Sequence, residues 1–231
     1  WGVASSAYQV EGGWNSDGKG PSIWDTFCHQ NSTIANAQTG DIACNHYEHF
    51  LEDIKLMSSL GIDSYRFSIS WPRVFPNGDQ TLNPKGLAFY DQLVDTLIEY
   101  GITPYLTLYH WDLPQALETQ GGWQNRDTAI AFSAYAAFIC KHFSSRVKNY
   151  ITINEPQIIS FLGYHTGIHA PGLQLSMPAT LNVIHHLALA HGMAVSAMRL
   201  SATEPVLIGF SSTGDLCYPD EHQAISKDDI D

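Results

Sequence analysis

The chain has 231 residues, 11 Lys+Arg against 23 Asp+Glu, and a formal net charge of −12. That sign argues against a nucleic-acid partner, because phosphates select stripes of Lys and Arg, and against an anionic membrane surface for the same reason. At 44% hydrophobic and 15% charged residues the chain can bury a core and does not read as disordered. Eleven His and 12% aromatic residues are its unusual features; aromatic enrichment suits a carbohydrate cleft and equally a large core.

Strand-like and helix-like segments alternate along the chain. A first strand is expected near Trp1-Gly2-Val3-Ala4. Tyr47, Phe50, Leu51, Ile54, Met57 and Leu60 fall at helical spacing. Ser64 to Trp71 alternates between Gly61 and Pro72 and reads as a strand. Leu87, Tyr90, Leu93, Val94, Leu97 and Ile98 form the next helical face, after an Asn83-Pro84 start signal. Thr103 to Tyr109 is a strand, 127–143 a helix, and Asn149 to Asn154 a strand. Residues 178–200 are helical, with Pro178 just inside the start, and Val206 to Phe210 is the last strand. Strands alternating with helices predict a parallel sheet with helical crossovers. Polar and ionisable residues collect just past the apolar strands: Arg66, then His110-Trp111-Asp112, then Asn154-Glu155. In a TIM barrel that edge is the catalytic face. Five strands are about five of the eight β/α units of such a barrel, so the fold expected is a partial one.

Cys28, Cys44, Cys140 and Cys217 match no zinc spacing and read as buried thiols in a reducing, cytoplasmic setting, with a disulfide and secretion left open. No apolar run is long enough to span a membrane. Asn31-Ser32-Thr33 is a glycosylation sequon that matters only for a secreted chain. His46/His49 and His165/His169 are weak as metal pairs, since the Glu of a metalloprotease His-Glu-x-x-His is absent and the segment around His165 is too Gly-rich for a regular helix. No metal or cofactor site is expected, and no phosphate-cradling loop, nucleophile elbow or dinucleotide fingerprint occurs.

The strongest motif is Thr152-Ile153-Asn154-Glu155-Pro156, in which a strand runs into a carboxylate and a proline stops it. A carboxyl held in an apolar, aromatic pocket keeps its proton near neutral pH and can donate it to a glycosidic leaving oxygen. Taken alone, Glu155 could equally pair with a surface Lys or Arg.

That motif, followed by Gly163-Tyr164-x-x-Gly167 and Ala170-Pro171-Gly172, resembles the acid/base segment of glycoside hydrolase family 1. Trp1-Gly2-Val3-Ala4-Ser5-Ser6-Ala7-Tyr8-Gln9-Val10-Glu11-Gly12 is similar to that family's amino-terminal signature. Gly18 to Asp25, Tyr65 to Arg73, Tyr109 to Pro114 and Gly121-Gly122-Trp123 also match in the family's order and spacing. The resemblance covers nearly the whole chain. It implies a retaining β-glycosidase acting on terminal β-D-glucosides or β-galactosides. Glu155 would be the general acid/base. Gln9, His110, Trp111 and Asn154 would bind the sugar, with Asn154 at its 2-hydroxyl, and Arg66 would support the nucleophile. Plainer readings are a core histidine for His110, a turn residue for Gln9 and structural roles for Glu11, Trp24, Trp71 and Trp123. Asn45 stands where the family usually has Asp, which bears on local stability.

The resemblance places the nucleophile in a Glu-Asn-Gly strand that this sequence does not contain. Residues 1–231 are therefore expected to be the amino-terminal portion of one catalytic domain, truncated at both ends, and inactive alone. Its partner would be a small β-glycoside or oligosaccharide, with a homo-oligomer or a complementing carboxy-terminal half also open. The His-Trp-Asp-Leu-Pro run favours a substrate that is not phosphorylated, and Glu155 argues against the thioglucosidase branch, which has Gln there. A Klotho-like, non-catalytic binding relative is the competing function.

Overall fold

The computed structural model describes residues 1–30 and 34–214. The sequon at Asn31 and the thiol of Cys217 lie outside the described residues. Five strands form one parallel sheet whose spatial order follows the chain: β1 (Gly2–Ala4), β2 (Ser64–Ser68), β3 (Thr103–Tyr109), β4 (Asn149–Asn154) and β5 (Leu207–Ser211). Gly2 pairs with Ser64, Ser64 with Thr103, Tyr105 with Asn149 and Asn149 with Leu207, all parallel. Helices carry the crossovers: α1 (Ala7–Val10), α2 (Ile23–His29) and α3 (His46–Ser59) lead to β2, and α4 (Trp71–Val74) and α5 (Pro84–Glu99) to β3. After β3 come α6 (Gln115–Thr119) and α7 (Arg126–Phe143), then β4, α8 (Pro156–Ile158), a π-helical segment over Ile159–His165, and α9 (Met177–Ser201) before β5.

The long helices begin where local chemistry lets them. Pro84 and Pro178 occupy the first turns of α5 and α9, where a missing N–H leaves no bond unmade. The Asn125 side chain caps α7 by accepting from the Asp127 amide. Ser22 and Asp25 form a reciprocal capping box on α2, a start signal the periodicity argument passed over. One expectation needs correcting. Alternation reads the second strand to Trp71, but it ends at Ser68, because Trp71 begins α4 with Pro72 in its first turn and its ring is buried in the core. The segment Ile159–His165 is π-helical and not a regular α-helix. Cys44 is exposed, unlike the buried thiols of Cys28 and Cys140, and all three are free.

The core lies between sheet and helices and is unusually aromatic. The Trp71 ring stacks on Tyr135 at 4.8 Å, and Trp123 meets Tyr109 edge-on at 5.2 Å while donating Nε1–H to its hydroxyl at 3.1 Å. Trp71 and Trp123 are thus packing residues, fully buried. Inside this core sits a buried ion pair between Glu11 and Arg73. Arg73 Nε donates to Glu11 Oε2 at 2.9 Å, the Tyr90 hydroxyl donates to Glu11 Oε1 at 2.6 Å, and the Tyr47 ring lies 4.1 Å from the guanidinium carbon. The backbone must come close here: a Cβ on Gly86 of α5 would stand 2.0 Å from the Arg73 carbonyl oxygen.

Removing one partner of a buried pair strands the other charge, which typically costs about 3–5 kcal/mol. Glu11→Ala should therefore lower the urea midpoint by that equivalent, and an unchanged midpoint would show that Arg73 finds another partner.

Candidate active site

The carboxyl ends of β2, β3 and β4 bring Arg66, Thr107, His110, Trp111, Asn154 and Glu155 together. Arg66 on β2 donates Nε–H to the Thr107 hydroxyl at 2.9 Å and an Nη2–H to Asn154 Oδ1. A guanidinium can only donate, so this bond fixes which end of the Asn154 amide faces Arg66. The Asn154 amide nitrogen then faces His110 and donates to its Nε2 at 3.1 Å. His110 must carry its proton on Nδ1. Burial, reinforced by the Arg66 charge, pushes the imidazole down to about 4, so it is neutral over the ordinary working range. Trp111 closes the ring by donating Nε1–H to the Asn154 carbonyl at 2.9 Å.

Two of these residues are held in the left-handed region, Trp111 at φ 76° and Glu155 at φ 48°. Neither is glycine, and such strained positions persist where surrounding structure over-determines them. Glu155 is half-buried. Its charge reaches Arg66, where it opposes the downward pull of burial on the guanidinium. The apolar seclusion expected for this carboxyl is therefore partial. Arg66 was expected to serve a second carboxylate; within this chain it organises Asn154. Gln9 lies on α1, at the edge just past β1. It is exposed, and its side chain joins none of these hydrogen bonds.

Sequence reasoning missed an aromatic path leading away from Trp111. The His169 ring lies 5.5 Å from Trp111 and 5.4 Å from Trp24, and Trp24 lies 5.8 Å from Tyr8. His169 sits between two indoles, while His165 Nδ1 bonds the Leu175 carbonyl at 2.9 Å. His46 bonds Asp53 at 2.5 Å. No group of three or more His, Cys, Asp or Glu among the described residues is arranged to hold a metal.

Asp112, next to Trp111, is buried against Ser70, Glu11 and Lys19. Burial pushes its carboxyl up to about 8, with the Ser70 hydroxyl and Lys19 only partly offsetting this.

Parallel strands, helical crossovers and a polar rim at the strands' carboxyl ends define a TIM-barrel-type protein. The comparisons narrow this. The family model of glycosyl hydrolase family 1 matches residues 1–230, and the chain belongs to that family. It is 53% identical over 199 residues to Beta-glucosidase A of Acetivibrio thermocellus, covering 86% of this chain and 44% of the relative. It is 50% identical over 202 residues to Beta-glucosidase 42 of Arabidopsis thaliana, covering 86% and 41%. Among solved structures, the β-glucosidase of Thermotoga maritima in complex with castanospermine superposes with TM-score 0.93 at 44% identity, covering 100% of this chain and 51% of that one. The same enzyme with glucoimidazole gives TM-score 0.88 at 46% identity, covering 91% and 47%. The chain spans about half the length of the curated relatives it matches.

Two measurements test the electrostatics. The His110 imidazole should titrate near pH 4 by NMR; a midpoint near the ordinary histidine value of about 6.5 would remove the Nδ1–H tautomer argument. For Asp112 the folded state holds a proton that the unfolded chain, at about 3.9, releases. Its contribution to stability is full below that value and is lost as pH rises through about 8. Asp112→Asn should remove this slope, so urea midpoints of variant and parent should diverge between pH 5 and pH 9 in favour of the variant.

Proposed function

We propose that the whole protein carrying this chain is a retaining β-glycosidase that hydrolyses terminal β-D-glucosides by double displacement. The observation that carries this reading is Glu155 at the end of β4, beside an Asn154 whose amide is oriented by Arg66 and His110. Membership of glycosyl hydrolase family 1 and the β-glucosidase names of the relatives support it.

Glu155 would protonate the leaving oxygen in the first step and take the proton from the attacking water in the second. Its partial exposure suits both roles, since water must reach the same carboxylate that served the leaving group. Asn154 keeps one amide N–H beyond its bond to His110, and that donor would bind the sugar 2-hydroxyl. A bond there strengthens as oxocarbenium character develops, so it contributes to kcat more than to ground-state binding. The fixed network means that Asn154 and His110 need no reorientation during the reaction. Trp111, tied to the Asn154 carbonyl, would form a wall of the same subsite. Gln9 would add a further hydroxyl contact from the β1 edge. In the resemblance the second carboxylate comes from a later strand, and a retaining reaction needs it about 5–5.5 Å from Glu155.

Glu155→Gln in the whole protein should abolish cleavage of alkyl glucosides, which need protonation. It should largely spare dinitrophenyl glucosides, whose leaving group departs unaided. Equal losses on the two substrates would refute the acid role.

A further inference from the structure

The pairing of β4 with β5 contains an irregularity just before the candidate acid. Ile151 lies opposite Gly209, yet Asn154 lies opposite Ser211, so β4 takes three steps where β5 takes two. An extra residue of this kind is a bulge, and it changes which way the following side chains point. The contacts follow that change. Thr152 Oγ1 meets His191 Nδ1 of α9 at 2.8 Å. Ile153 lines the same apolar hollow as Leu187, Ala188 and His191 of α9. Two successive residues therefore face the helix, and Asn154 turns the other way, towards Arg66 and His110. Strict alternation would send Asn154 to the helix side with Thr152.

A bulge disturbs the ladder and leaves backbone groups in search of partners. Here the Gly209 carbonyl accepts from the Thr152 hydroxyl at 3.2 Å. That uses the one hydrogen of the Thr152 hydroxyl, so Oγ1 must accept from His191 Nδ1–H. Thr152 is fully buried, and its hydroxyl is thus satisfied on both sides. His191 is in turn packed edge-on to Phe210 of β5 at 5.2 Å, and burial pulls its imidazole below the ordinary value, favouring the neutral ring that this arrangement uses. Directly after the bulge the Glu155 amide donates to the Ser211 carbonyl at 2.7 Å, with its backbone at φ 48°.

We propose that Thr152 is a positioning residue, whose hydroxyl, held by His191, locks the β4 bulge that turns Asn154 and Glu155 into the cleft. This rests on the reading of Glu155 as proton donor. A threonine serving only to fill space would be replaceable by valine, which has the same shape and no hydroxyl.

The test is kinetic and structural, in the whole protein, comparing Thr152→Val, Thr152→Ser, His191→Leu and Glu155→Gln. Substrates are aryl glucosides of graded leaving-group acidity. Thr152→Val should lower kcat about tenfold to a hundredfold for poor leaving groups, the scale expected of a slightly misplaced catalytic group. The loss on dinitrophenyl glucoside, which still needs Asn154 but needs no proton on its leaving group, should be about tenfold smaller, and Thr152→Ser should recover most of the loss on both. A uniform loss across substrates, or parental rates, overturns the proposal. Amide hydrogen exchange at Glu155 provides a readout independent of activity: it should speed up in Thr152→Val and be restored in Thr152→Ser, and unchanged protection overturns the bulge role. If Glu155→Gln itself shows no leaving-group dependence, the acid assignment fails, and exchange alone decides on Thr152. Should Thr152→Val not fold, His191→Leu acts on the same contact from the helix side, with the same supporting and overturning outcomes.

Discussion

The hydrogen bond from Arg66 to Asn154 orders the whole strand-end cluster. Because a guanidinium cannot accept, one contact decides the orientation of an amide, the amide decides the tautomer of His110, and the same residue's carbonyl receives the Trp111 indole. Three strands are thereby tied at their carboxyl ends by side chains as well as by their ladder. An amide that could flip, or an imidazole that could exchange its proton between nitrogens, would present several donor and acceptor patterns at this edge. The fixed donor excludes all but one, which leaves this edge electrostatically preorganised.

Beneath that layer lies a second one of a different kind. The Glu11–Arg73 pair and the Tyr90 hydroxyl hold α1, α4 and α5 around a common point, and Asp112 is buried beside them. The two layers meet in the chain itself, since Asp112 directly follows His110 and Trp111. Charge is spent here on structure: Glu11 is neutralised within the core, while Glu155 at the rim stays reachable. Two glutamates thus sit in opposite environments, one closed in by a cation and a phenol, the other half in solvent.

Much of this was legible in the sequence, and the failures have physical causes. Thr103 to Tyr109 and Asn149 to Asn154 were readable as strands because they are apolar runs with turn signals on both sides. Arg66, His110, Trp111, Asn154 and Glu155 were readable as a cluster because a parallel sheet delivers successive strand ends to one edge. Trp71 was misassigned because alternation continues through Ser70 while Pro72 has already begun a helix. The place of His169 was not legible because its neighbours, Trp24 and Trp111, are remote in the chain. The bulge at Thr152 was invisible for a related reason: an extra residue is defined only against the partner strand, and β5 lies more than fifty residues further on.

The strand order has a bearing on how the chain is made. Among the described strands, each after β1 pairs with the one synthesised before it. A ribosome delivering this chain presents β2 when β1 is already exposed, then β3 against β2, and so to β5. Long parallel crossovers are slow to close in a free chain, because loop entropy is lost before pairing returns it. Vectorial delivery shortens that search, since each unit docks on a template already in place. The same order leaves a growing edge at every stage, so the newest strand is always the one open to the wrong neighbour.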